Sequence, residues 1–224
     1  MALLLDNDIV HKLAQLNLLT QASQLLKEKY GEIKVLNTLK FEYCPKKEEK
    51  RIKKEKKYGA LIVSRIDNFI KSGISEIKQE VTDVELIEAA NSVSGLDDGE
   101  MQLLQFFLNE KEGLFFTSDK KFLRALENTL TLKNKLSEIK NRFVCFEQIL
   151  LLLIKKLSFE TVRVNYIEAR IKYPIDSALR TCFSSEPEKI PESQFISNLE
   201  KYIEDLQLET NSLLIPTSLL LTTS

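Results

Sequence analysis

Apolar residues recur along the chain in two rhythms. Residues 2–5, Ala-Leu-Leu-Leu, make an unbroken apolar run halted by Asp6, and Ile9, Leu13 and Leu16 then return at helical spacing. The opening motif is therefore strand, acid, helix. A second helix through Ala22, Leu25 and Leu26 runs to Gly31, residues 33–36 read as a strand, and 38–43 open a helix that Pro45 breaks. Leu61, Ile62, Ile66, Phe69 and Ile70 predict another helix, and 82–93 a further amphipathic one. Over 96–109 a helix is expected with Asp97 at its N-cap and Glu100 three residues later, ended by Gly113. Leu114-Phe115-Phe116-Thr117-Ser118-Asp119 repeats the opening motif, with a helix to follow over 120–126, and 142–146 is a last short strand.

Beyond residue 157 the spacing is helical: 159–171, a break at Pro174, a loop at 184–187, then 195–208. The tail over 213–221 is apolar around Pro216 and is expected to dock on the body or on a partner, because exposed apolar surface favours association. Strands alternating with helices predict an α/β fold: a Rossmann-like parallel sheet flanked by helices over 1–157, with a C-terminal helical extension over 158–224.

Composition narrows the chemistry. The formal net charge is only −1, so any attraction to a polyanion must be local. It is local in one place: residues 46–57, KKEEKRIKKEKK, hold eight basic and three acidic side chains and almost nothing apolar to bury. This stretch reads as a solvated helix or mobile loop, with Lys53, Lys54, Lys56 and Lys57 as candidate nucleic-acid contacts. The apolar opening is brief and lacks a basic leader, unlike a secretory signal. The longest apolar run, 149–154, falls far below the roughly 20 residues a bilayer-spanning helix needs, so no membrane segment is expected. Three scattered cysteines, Cys44, Cys145 and Cys182, form no C-x-x-C pair, which argues for a reducing, cytoplasmic setting and against a structural zinc.

The single histidine, His11, argues against a Ser-His-Asp hydrolase, an H-E-x-x-H zinc enzyme and a two-histidine ribonuclease. The six glycines form neither a dinucleotide fingerprint nor a Walker loop. Chemistry, if present, falls to carboxylates. In open parallel sheets ligands bind beyond the carboxyl ends of the strands, where Asp6 and Asp119 stand. Carboxylates gathered there repel one another unless a cation neutralises them, and Mg²⁺ or Mn²⁺ is the natural partner. Each acid also has a structural reading: Asp6 as a helix cap, Glu100 as half of a capping box with Asp97, Glu42 as a solvated charge.

Taken together these stretches resemble the PIN domain family of metal-dependent nucleases. Leu3-Leu4-Leu5-Asp6-Asn7-Asp8-Ile9-Val10 is similar to the family's first strand with its leading Asp, and Thr117-Ser118-Asp119-Lys120-Lys121-Phe122 to its T-x-D-x-x-F element. Leu96-Asp97-Asp98-Gly99-Glu100 resembles the L-x-x-G-E form of the mid-chain acidic helix, and Glu42 occupies the place of the second acid. The resemblance covers residues 1–150 and implies a PIN-like fold with Asp6, Glu42, Glu100 and Asp119 as catalytic acids. It further implies Asp6, Glu100 and Asp119 as ligands of Mg²⁺ or Mn²⁺, Asp98 as the alternative to Glu100, and Thr117 and Asp8 in support behind them. The implied activity is endoribonuclease, with RNA as substrate; toxins held silent by an antitoxin are common in the family, and a homodimer is compatible with it. The sequence departs from the family in its charged 46–57 insertion and in lacking a small, alanine-rich helix after Glu100.

Two rivals stand beside that reading. Asp6-Asn7-Asp8-Ile9-Val10 also fits the start of haloacid-dehalogenase-like phosphatases, in which the first Asp is the nucleophile and the second a general acid. The other is a catalytically inactive PIN-like module that binds through its C-terminal extension.

Overall fold

The computed structural model describes residues 2–222. Its sheet is built from β1 (Ala2–Leu5), β2 (Glu32–Leu36), β3 (Ser75–Ile77), β4 (Gly113–Thr117) and β5 (Phe143–Cys145), all parallel, in the order β3-β2-β1-β4-β5. Every residue of β1 and β4 is buried, which is what a strand covered on both faces demands and why both read as unbroken apolar runs. At the start of β4 only glycine fits: a Cβ on Gly113 would stand 2.7 Å from the Ala2 carbonyl oxygen across the ladder. Gly113 thus opens a strand, whereas its position had suggested the end of the preceding helix.

The α/β class and the helical flanks expected from the pattern are present. Following β1 come α1 (Asn7–Gln15) and α2 (Leu19–Tyr30); following β2 come α3 (Thr38–Tyr43), α4 (Glu48–Tyr58) and α5 (Ala60–Lys71). Between β3 and β4 lie α6 (Val84–Ser92) and α7 (Asp98–Asn109), and between β4 and β5 lie α8 (Lys120–Glu127) and α9 (Lys133–Glu138). The charged stretch is helical as α4, with no buried residue, and leans on α5.

β5 ends one residue short of the expected 142–146 strand, and the chain turns there into α10 (Phe146–Lys156), a helix the spacing had not singled out and nine consecutive residues of which are buried. A helix apolar all round must be enclosed. Its covers are α2 together with α11 (Phe159–Lys172) and α13 (Glu192–Glu209) from the C-terminal part. The tail docks on the body: the amides of Arg142 and Phe143 donate to the Leu213 carbonyl, and Ile215 donates back to Phe143 at 2.8 Å. It thereby pairs with the outer edge of β5, which would otherwise be open to strand addition, before a last helix, α14 (Thr217–Thr222).

Besides α9, α10 and α14, which the spacing did not single out, two further elements escaped the sequence pattern. β3, Ser-Glu-Ile, is an edge strand with a single buried residue and so lacks an apolar run. The helix α12 (Ser177–Phe183) fits between Pro174 and the 184–187 loop, started by Asp176, whose carboxylate accepts from the amides of Ala178 and Leu179. Among the described residues, no helix is long and apolar enough to cross a membrane.

Candidate metal and nucleic-acid site

Strand order places the site. From β1 the chain first builds outward on one side, to β2 and β3, and then crosses back to lay β4 and β5 on the other. The carboxyl ends of β1 and β4 are therefore the switch point at which a crevice opens. Register puts Leu5 opposite Phe116, so Asp6 and Asp119 leave adjacent strand ends. A cavity of ≈ 460 Å³ lies there, lined by Asp6, Asp8, Glu42, Asp97, Asp98, Glu100 and Asp119. Asn7, Thr38 and Gly99 complete its polar wall, and among the described residues no basic side chain lines it. Of the acids proposed from the sequence, Asp6, Asp8, Glu42, Asp98, Glu100 and Asp119 all reach this one pocket.

Each acid is also held by local structure. Asp6 caps α1, its Oδ1 accepting from the Ile9 amide, while Oδ2 accepts from the Ser118 amide at 3.1 Å. Asp119 caps α8, with Oδ1 accepting from Lys121 at 2.7 Å and Phe122 at 3.0 Å; Oδ2 takes no hydrogen bond among the described residues. Glu100 and Asp97 form the expected capping box, each carboxylate accepting from the other's amide, at 3.0 and 2.8 Å. A side chain at Gly99 would crowd Asp97 Oδ1 and Leu36, so glycine lets the start of α7 settle against the end of β2. Glu42 is not a free surface charge: it accepts from the Tyr58 hydroxyl. Thr117 supports the site directly, its hydroxyl accepting from the Asp119 amide at 3.0 Å and stabilising the Asp6 carboxylate.

Electrostatics records the crowding. Burial pushes the Asp6 carboxyl up to about 7; bonds from Thr117, Ile9 and Ser118 oppose the rise and the Asp8 charge adds to it. Burial pushes Glu100 up to about 8, reinforced by the charges of Asp97, Asp119 and Asp6. Glu100 thus lies within electrostatic reach of both Asp6 and Asp119.

The donors suit a hard divalent cation in kind, being carboxylates throughout. Asn7 adds a signal that the sequence reading missed: its amide nitrogen donates to Thr38 Oγ1 at 3.2 Å, leaving Oδ1 buried with no partner. A buried carbonyl oxygen without a donor is an acceptor waiting for one, or for a cation. As the side chains stand, no three His, Cys, Asp or Glu residues among those described form a metal-holding group. The hydrogen bonds give the reason, because Asp6, Glu100 and Asp119 each turn an oxygen toward backbone N–H groups.

The last turn of α4 reaches this rim. Lys57 Nζ lies 2.7 Å from the Tyr58 hydroxyl and 4.5 Å over its ring, and Lys54 Nζ lies 5.6 Å over the same ring. Lys53 and Lys56 are exposed and have no ion-pair partner among the described residues. His11 packs against Tyr43 and Tyr58 with Nδ1 3.0 Å from the Tyr43 hydroxyl, and burial lowers its proton affinity. Compared with protein-family models, curated proteins and solved structures, the chain finds no match in any of the three.

Proposed function

We propose that this protein is a Mg²⁺- or Mn²⁺-dependent nuclease that hydrolyses phosphodiester bonds, with RNA as its substrate, working in the cytoplasm. The observation that carries the reading is the seven-carboxylate pocket, without a basic side chain among the described residues, at the switch point between β1 and β4. Such a set is costly to keep together without a cation. Asp6, Glu100 and Asp119 would hold the ion, with Asp98 beside Glu100 and Asn7 Oδ1 as a neutral donor. When bound, a divalent cation supplies an activated water and charge compensation at the leaving oxygen. The chain's own residues do the rest. Thr117 and the Ser118 amide fix the Asp6 carboxylate, the cap bonds of α8 fix Asp119, and Glu42 can accept a proton near the reacting water once it releases Tyr58. The free thiols Cys44, Cys145 and Cys182 suit a reducing compartment.

A second reading, a binding module without catalysis, draws support from the capping bonds that already occupy Asp6, Glu100 and Asp119. The phosphatase reading has its two acids, Asp6 and Asp8, in the pocket but no lysine there, because Lys120, the lysine next to Asp119, turns away to Glu147 at 2.8 Å.

Wild type and Asp119→Asn decide between catalysis and binding alone. Asparagine caps a helix about as well as aspartate, so stability should change by less than about 0.5 kcal/mol. Single-turnover cleavage of a labelled RNA in Mn²⁺ should fall at least about 100-fold, the upper end of the cost of losing even an outer partner of a metal ligand. Mn²⁺ should raise the melting temperature of the wild type and raise that of the variant less. Full activity in the variant removes Asp119 from the mechanism. A wild type that neither cleaves nor gains stability from the ion establishes the binding module instead.

A further inference from the structure

Phe41 is 69% exposed, on a helix whose other aromatic side chain, Tyr43, is buried. Helical residues three and four apart share a face. Phe41 therefore shares a face with Thr38 and directly precedes Glu42, both of which line the acidic pocket, while Leu39 and Tyr43 turn into the core. Phe41 does not itself line the pocket but lies one helical turn from Thr38 and next to Glu42, which do. The bond from Tyr58 to Glu42 brings the end of α4, with Lys54 and Lys57, to the pocket rim.

A single exposed phenylalanine needs no explanation. Its surroundings supply one. Helix α4 carries six basic and three acidic side chains, buries none of its residues, and has one ion pair among the described residues, Arg51 with Glu55. Its uncompensated charge suits a polyanion, and an uncovered aromatic face beside it suits a polyanion whose own rings are unstacked.

We infer that Phe41 is a base-stacking residue, taking the face of one unpaired base of a single-stranded nucleic acid whose phosphates run along α4. Stacking there sets an adjacent phosphodiester over the acidic pocket. A duplex offers no free base face to this ring. The fate of the strand rests on the nuclease reading; its capture by Phe41 and α4 does not.

The test is equilibrium binding of a labelled single-stranded RNA in EDTA, so that no cleavage intervenes, using a series in which each base in turn is replaced by an abasic site. Wild type should lose about tenfold in affinity at one position, the scale of a base–aromatic stack. Phe41→Ala should bind the intact strand about tenfold more weakly and show no further loss at that position, whereas Phe41→Tyr should behave like wild type. Being exposed, Phe41 can be replaced without threatening the fold, and melting curves verify this. An abasic penalty that persists in Phe41→Ala overturns the inference, as does the absence of any single-strand binding by wild type. So does a variant that binds normally while sedimentation shows it has lost a dimer, which would assign the ring to a second copy of the chain. Cleavage is scored separately in Mn²⁺: base-dependent binding without cleavage sinks the nuclease reading alone, and cleavage without a Phe41 effect sinks the stacking residue alone.

Discussion

Glu100 shows how one side chain can serve two masters. Its Oε2 closes the capping box of α7 by accepting from Asp97, and burial beside Asp97, Asp119 and Asp6 makes its charged form unwelcome. With its carboxyl pushed up to about 8 from 4.5, the folded chain holds a proton between those values that the unfolded chain has released. Stability of the metal-free protein should therefore fall as pH rises through that window and level off above about 8, and Asp6 adds the same trend between 3.8 and about 7. Glutamine keeps the oxygen that accepts from Asp97 but cannot ionise. Denaturant melts in EDTA at pH 5.5 and 8.5 should show Glu100→Gln losing less stability than wild type over that interval; equal losses would mean that Glu100 is not strained. Affinity for Mn²⁺ should strengthen over the same range, because the ligands must be deprotonated.

At the scale of elements, α4 is the part whose presence packing explains least. It buries nothing, so its sequence is free of core demands, and Lys53, Lys54, Lys56 and Lys57 can be replaced with little effect on stability. Changing all four to glutamine should weaken RNA binding and make the plot of log affinity against log salt shallower by up to about 3, at roughly 0.7 per phosphate contact on a single strand. An unchanged slope would reduce α4 to a solvated surface helix. The other elements divide by how much apolar surface they carry. Asp97 and Glu100 announce the start of α7 in four residues because capping is a local bond between near neighbours. β3 leaves no such mark: its place at the sheet edge asks for only one inward side chain, Ile77. The short α12 is marked by Asp176 and by Ala178, Leu179, Cys182 and Phe183 on one face, a pattern compressed between Pro174 and the following loop.

In the whole molecule, the C-terminal helices are tied to the strand that bears the site. Lys120, the residue after Asp119, lies 2.8 Å from Glu147 on α10 and 3.7 Å from Asp176 at the start of α12, and Asp176 also meets Lys12 of α1 at 2.7 Å. Glu147 is 0% exposed and Lys120 12%, and the two are drawn together by their opposite charges. The Glu147 and Asp176 charges hold the Lys120 ammonium in its protonated form despite burial. Removing one member of a buried pair strands the other: Glu147→Ala should cost about 3–5 kcal/mol in urea melts. The double variant Lys120→Met with Glu147→Leu should recover most of that loss. If Glu147→Ala costs under about 1 kcal/mol, water reaches the pair and the lock is loose.

The sequence alone determined the parts governed by near neighbours and by periodicity: the apolar strands ending in Asp6 and Asp119, the capping box of Asp97 and Glu100, the solvated character of 46–57 and the parallel α/β class. It also held an unread signal in 146–154, a helical stretch too apolar to stand uncovered, which the C-terminal helices enclose. Only the tertiary structure decided what depends on residues distant in sequence. Strand order brought Asp6 beside Asp119, the turn between α3 and α4 brought Tyr58 back to Glu42, and the Asn7 carbonyl was left buried without a donor. The physical reason is that a cap or an apolar stripe is specified within one turn of helix or one strand, whereas the burial that raises Asp6 and Glu100 arises from segments that meet only when the sheet closes on its core.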